Sequence, residues 1–281
     1  MPDNIDPQLE QLYSSAQSAS SEGLKEEALK KCEEAIELLE SYGDETERHT
    51  FSDFVMLMAD IHWAAGDYEA AYSEYQRVAN HDPERSDARI AMGVALYHLC
   101  RFTASQTILE MCSLEDPEDA EIWYYLGLLA LRNDKRELAH SHFEVAHELQ
   151  SNRFLLPVEI TEAEITEIVQ ALVDEIPEAI RNALDNVPVI LETRPADELL
   201  FSSDPPIDPT VLGLFDGIPV VDESSSTIHT APTRIVLFSE NIWLIAGDRA
   251  TLEEELWVTL KHEIGHYFGL TEEELAERGL D

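Results

Sequence analysis

The chain has 281 residues, 44% of them hydrophobic, and sets 58 Asp and Glu against 18 Lys and Arg for a formal charge of −40. That length fits one or two domains, and the apolar content is ordinary for a chain that buries a core. So acidic a surface repels nucleic-acid phosphate and anionic lipid, so no nucleic-acid and no membrane partner is expected.

Two readings of the acidity remain: attraction to basic partners, and plain solubility or adaptation to a salty cytoplasm, of which the second is the simpler. Met1-Pro2-Asp3-Asn4-Ile5-Asp6-Pro7 has no apolar core of a signal peptide, and no run of 18 apolar residues could span a bilayer. Cys32, Cys100 and Cys112 are too few, and spaced too irregularly, for a disulfide framework or a metal site. They read as buried thiols in a reducing compartment, and the expected location is cytoplasmic.

Residues 1–8, with two prolines, read as a disordered lead-in. A period of 34 residues follows. Tyr68-Glu69-Ala70-Ala71, Tyr75 and Asp82-Pro83 align with Phe102-Thr103-Ala104-Ser105, Leu109 and Asp116-Pro117. The same shift brings Arg136-Glu137-Leu138-Ala139, Phe143 and Ala146 into register, and Ala59, Gly93 and Gly127 share one small-residue position. Small residues let paired antiparallel helices approach, large ones fill the gap to the next unit, and Pro83 and Pro117 stop the second helices. An earlier, degenerate unit fits residues 9–42 through Ala28, Cys32 and Ala35, displaced by 43 residues, with the insertion near Gly43-Asp44-Glu45. The pattern resembles the tetratricopeptide repeat. The resemblance implies about four helix pairs over residues 9–152, stacked into a groove that holds a protein or peptide partner, a basic one if the acidity serves binding. Trp63, Trp123 and Tyr124 are expected between helices rather than on a ligand.

Residues 153–158 read as a linker, and a second domain is expected over 159–281. Thr161 and Glu164 spell a capping box opening a helix to about Asp174. Pro177 starts a short helix, and Val187–Leu191 reads as a strand. Residues 192–210, rich in Pro, Asp and Ser, read as surface loop. Val211–Phe215 and Ile218–Val221, split by Asp216-Gly217, suggest a hairpin that Pro219 weakens. Arg234–Phe238 is the clearest strand. Ile242–Ala246 is either a strand or the lead-in to a helix over about Thr251–Phe268, and Thr271 opens a last short helix.

That long helix carries His262-Glu263-Ile264-Gly265-His266, an H-E-x-x-H arrangement. Two His four apart stack on one helix face and can hold one zinc ion, with Glu263 placed to act as general base toward a water. Leu252, Leu256, Leu260, Ile264 and Phe268 form the core-facing stripe, and the His pair lies off it. Gly269 permits a sharp turn that could return Glu272 toward the metal; His229 is the alternative third ligand. Tyr267 or His229 could serve as a second electrophile.

Together with Glu175-Ile176-Pro177-Glu178, Leu212-Gly213-Leu214-Phe215-Asp216-Gly217-Ile218-Pro219 and Arg234–Phe238, the closing stretch resembles the small bacterial zincin-like, or minimal metzincin-like, metallopeptidases. The resemblance implies a small α+β fold with a few-stranded sheet on the active helix. It implies His262 and His266 as metal ligands, Glu263 as catalytic base, and a carboxylate, usually Asp, as third ligand where this chain has Glu272. This half contains no Met for a Met-turn, and only 15 residues follow His266, so a shallow, open site is expected. The chain as a whole reads as multidomain: an all-α repeat array, then a zincin-like domain. The implied activity is zinc-dependent peptide hydrolysis; the alternative is a non-catalytic adaptor with a structural or vestigial metal site.

Overall fold

The computed structural model describes residues 6–42, 48–219 and 233–280, and the chain divides into two compact units, residues 1–150 and 151–281. Among the described residues no helix is long and apolar enough to cross a membrane.

The first unit is four helix pairs: α1 (Pro7–Ser21) with α2 (Lys25–Tyr42), α3 (Arg48–Ala64) with α4 (Tyr68–His81), α5 (Ser86–His98) with α6 (Phe102–Glu115), and α7 (Ala120–Arg132) with α8 (Arg136–Leu149). Helix begins earlier than the lead-in reading allows: Asp6 accepts from the Gln8 N–H, and Pro7 occupies the first turn, where its missing N–H costs nothing. The small-against-large logic of the period is realised. Ala71, Ser105 and Ala139 are wholly buried, on the same face as Tyr75, Leu109 and Phe143 one turn on. A Cβ added at Gly93 would lie 2.7 Å from Leu109, and one at Gly127 2.4 Å from Phe143. The Ser105 hydroxyl caps the contact by donating to the Gly93 carbonyl at 2.7 Å. Helices α4 and α6 stop one residue short of Asp82-Pro83 and Asp116-Pro117.

Most of the extra length in the first unit is helix rather than loop. Helix α2 has 18 residues where α4 has 14, and α3 has 17 where α5 has 13. Gly43-Asp44-Glu45 lie outside the described residues. Successive pairs are tied by Arg85, which bonds Asp53 on α3 at 2.8 Å and Asp87 on α5 at 2.8 Å. Trp63 packs its ring on Tyr68 and on His98 of the next pair, while Trp123 and Tyr124 lie against His142 and Phe143 of α8.

All three cysteines are buried free thiols. Burial pushes the Cys32 thiol up to about 12, and since the thiolate is the reactive form, it is doubly protected. A native thiol titration with a small disulfide reagent should therefore find no fast-reacting group, and three once the chain is unfolded. A fast stoichiometric reaction of native Cys32 would contradict the packing of α2.

The second unit builds a three-stranded sheet in the order β1-β3-β2 from β1 (Val189–Glu192), β2 (Gly213–Asp216) and β3 (Arg234–Phe238). Strand β3 is central, parallel to β1 in the register Val189↔Ile235 and antiparallel to β2 in the register Leu214↔Val236. Its Ile235, Val236, Leu237 and Phe238 are all buried, as a strand covered on both faces requires. The expected hairpin is thus replaced by a β2–β3 pair. Ile218 and Pro219 are irregular, and Pro219 has no N–H to give a ladder; Val220 and Val221 lie outside the described residues.

Helix α9 (Glu162–Glu175) starts at the Thr161–Glu164 capping box, and α10 (Glu178–Ala183) follows Pro177. The 192–210 stretch contains α11 (Asp197–Leu200), which buries Leu200 completely. The ambiguous 242–246 segment belongs to a helix, α12 (Ser239–Ile245). Residues 153–158 are held down: Phe154 is buried, the Val158 N–H donates to the Ala246 carbonyl, and its carbonyl accepts from the Trp243 indole at 2.7 Å. Helix α13 (Arg249–Tyr267) is capped by Asp248 and packs on β2 and β3, and α14 (Glu272–Ala276) is capped by Thr271. Leu252, Leu256, Leu260 and Ile264 join Ile235, Leu237 and Ile242 in one core, with Phe268 at its margin.

Candidate metal centre

The stripe that buries one side of α13 dictates where the rest of the helix points. His262 and His266 lie on the half-buried flank, with their ring planes at 80° and their Nε2 atoms 3.0 Å apart. Each Nδ1 faces a backbone carbonyl: Leu280 for His262 at 2.6 Å, Leu270 for His266 at 3.1 Å. A carbonyl can only accept, so each contact places a proton on Nδ1 and leaves Nε2 as the atom each ring can offer a cation.

Glu272 brings its carboxylate onto the same point, 3.1 Å from His266 Nε2 and 3.5 Å from His262 Nε2. Its route there begins at Gly269, whose φ of +81° ends α13 and turns the chain back. Thr271 then caps α14, its hydroxyl accepting from the Glu274 N–H while Glu274 accepts from the Thr271 N–H at 3.0 Å. Glu272, the first residue of α14, is thereby aimed at the His pair. Gly265 contributes from within the motif. A Cβ there would sit 2.4 Å from Leu275 Cδ2, so the missing side chain lets α14 lie directly on α13.

Three lone-pair donors, two imidazole nitrogens and a carboxylate, thus lie within 4.8 Å of one another, so that each offers an atom that could hold a metal ion. Without a cation, such acceptors repel; the donor set is of the kind zinc takes. The residues present therefore fit a metal. His229 lies outside the described residues. Tyr267, the other candidate electrophile, faces the core: its hydroxyl donates to the Ala183 carbonyl at 2.8 Å.

Glu263 is the buried member of the group, 6% exposed. Burial raises its carboxyl above the usual range, against the opposing pull of His262, His266 and the Phe215 backbone N–H, which donates to it. Phe215 belongs to β2, and Gly213 of the same strand approaches so closely that a Cβ would lie 2.7 Å from Thr259 and 3.1 Å from Glu263. Among the described residues the strand is at the edge of the sheet, and with Val211, Leu214 and Pro219 it borders a cavity of about 470 Å³ whose floor is His262, Glu263, His266 and Glu272. The carbonyls of Leu270 and Leu280, the Phe215 amide and Gly265 are not among the residues that motif reading singles out.

Comparison with known proteins places two family matches on this frame. Residues 184–280 match the zincin-like metallopeptidase family, and residues 62–131 match the tetratricopeptide repeat. The zincin-like family implies a metal, and the His/Glu group lies within the matched segment. Among solved structures, MamA 41-end from Desulfovibrio magneticus RS-1 is 18% identical with a TM-score of 0.43, covering 65% of this chain and 92% of that one. PilF of Pseudomonas aeruginosa is 19% identical with a TM-score of 0.42, covering 60% and 69%. YrrB, described as a TPR protein with an unusual peptide-binding site, is 17% identical with a TM-score of 0.34, covering 50% and 86%.

Proposed function

We propose that this chain is a zinc-dependent metallopeptidase whose repeat unit holds a protein or peptide partner. The observation that carries the reading is the convergence of two imidazole lone pairs and a returning carboxylate beside a separate, buried carboxylate. Structural zinc sites close with four protein ligands, whereas His262, His266 and Glu272 number three and leave a position open for water, and a purely structural site has no use for Glu263 at its edge. Zinc held by those three residues would supply Lewis acidity toward a water and a substrate carbonyl.

The protein's own contributions are positional and protonic. Glu263 takes the proton of the attacking water at its carboxylate and delivers it to the departing amine nitrogen, and its burial beside the two imidazoles keeps it in place for both halves of the task. Among the described residues β2 pairs only with β3, and its other edge beside the cavity is where an extended substrate segment would lie, with its scissile carbonyl over Glu263. The formal charge of −40 favours basic segments as substrates or repeat-bound partners.

Metal analysis tests the reading. Purified wild-type protein should carry one zinc per chain, His266→Ala should carry none, and only the former should cleave members of a peptide library. Wild-type protein that binds no zinc at micromolar concentration would sink the proposal; one that binds zinc yet cleaves nothing would leave the adaptor reading in its place.

A further inference from the structure

The two helix stops that flank Glu272 share one geometry. At the end of α13, the Leu270 N–H donates to the Gly265 carbonyl at 3.0 Å and the Gly269 N–H to the His266 carbonyl at 2.9 Å. At the end of α14, the Leu280 N–H donates to the Leu275 carbonyl at 3.1 Å and the Gly279 N–H to the Ala276 carbonyl at 2.9 Å. Both are the paired 6→1 and 5→2 bonds of a glycine-terminated Schellman stop, with Gly269 at φ +81° and Gly279 at φ +66°. In each, the residue after the glycine turns its carbonyl onto a motif histidine: Leu270 to His266 Nδ1 and Leu280 to His262 Nδ1.

We propose that these twin stops are a positioning device for the metal centre, in which the Leu270 and Leu280 carbonyls lock both imidazoles in the Nδ1–H form and so aim both Nε2 lone pairs at one point. The proposal rests on the metal-site reading above. It assigns to residues 270–280 two jobs, supplying Glu272 and orienting the ligand eighteen residues upstream of Leu280. An imidazole without such an acceptor divides its proton between its two nitrogens and turns about its side-chain bonds. Each loss weakens a cation site, and removing an outer hydrogen-bond partner of a ligand typically costs about 10- to 100-fold in metal affinity. The carbonyl of Leu280 depends on Gly279, since a side chain there must adopt a left-handed conformation that L residues disfavour.

Four variants of the chain test this: one ending at Gly279, Leu280→Ala, which keeps the carbonyl, Glu272→Ala, and Glu272→Ala ending at Gly279. Zinc affinity by chelator competition should fall about 10- to 100-fold in the shortened chain and stay within a few-fold of wild type in Leu280→Ala. Shortening should also weaken binding further in the Glu272→Ala background, because it acts through His262. If shortening has no effect there, it acts only by undocking α14, and the proposal fails. Imidazole ¹⁵N shifts of the metal-free protein give a second readout: His262 and His266 should both be Nδ1–H in the wild type, and His262 mixed after shortening. Nε2–H at His262 in the wild type would overturn the proposal whether or not zinc binds, whereas absent zinc binding with Nδ1–H rings would count only against the peptidase reading.

Discussion

Glu263→Gln should leave zinc bound at wild-type stoichiometry and lower peptide cleavage by about 10²- to 10⁴-fold, the usual worth of a positioned general base. Glutamine keeps the shape of the side chain, and its amide oxygen can still accept from the Phe215 N–H, so β2 keeps its seat on α13. What it lacks is a site for a proton in transit. His262, His266 and Glu272 are untouched, so metal content should not change; a variant that loses zinc along with activity would show that Glu263 helps hold the metal rather than the proton.

The same substitution carries a stability prediction of opposite sign. Burial raises the Glu263 carboxyl, so the folded metal-free chain holds this proton more tightly than the unfolded chain does. As pH rises from the unfolded value through the folded one, the unfolded state releases its proton first, and folding stability falls over that window. Above the ordinary carboxylate range the buried Glu263 carboxyl is therefore a liability in the metal-free protein. Glu263→Gln should unfold at an equal or higher temperature than wild type, with a weaker pH dependence as pH rises above the ordinary carboxylate range of about pH 4. Function held at a cost in stability is the pattern expected of a residue retained for chemistry.

How much of this could be read before any coordinates depended on whether the signal lay in side chains. The 34-residue period is written in side-chain volume, so the four pairs, the small positions at Gly93 and Gly127 and the stops at Asp82-Pro83 and Asp116-Pro117 were legible. The strands of the second unit were legible singly, Arg234–Phe238 to the residue, but their pairing was not. Partner choice for β2 is settled by α13 pressing Thr259 and Glu263 against Gly213, a tertiary contact that no local pattern announces. The 242–246 stretch failed differently: a short apolar run fits strand and helix equally, and only its position directly after β3 makes it α12. In the site, His262, Glu263, His266 and the turn at Gly269 followed from type and spacing. The Leu270 and Leu280 carbonyls could not, because a backbone acceptor has no letter of its own.

Phe143→Ala should cost the repeat unit about 3–5 kcal/mol, the range for deleting a buried aromatic ring. Phe143 is 3% exposed and stands over Gly127, with the Tyr124 ring 5.7 Å away. Repeats contact mainly their neighbours, so the loss should be local: hydrogen exchange should accelerate first in α7 and α8, and less in α1 and α2. The pairing also predicts a reversal of sign. In the wild type, Gly127→Ala forces a methyl into the ring and should destabilise by about 1–3 kcal/mol despite the better helix propensity of alanine. Once Phe143 is alanine the space is open, and the same Gly127→Ala should stabilise by up to about 1 kcal/mol. A denaturant-melting cycle over the four proteins measures the coupling directly. Additive changes would mean that the ring and the glycine do not meet, and that the small-against-large rule read from the period is not what packs these helices.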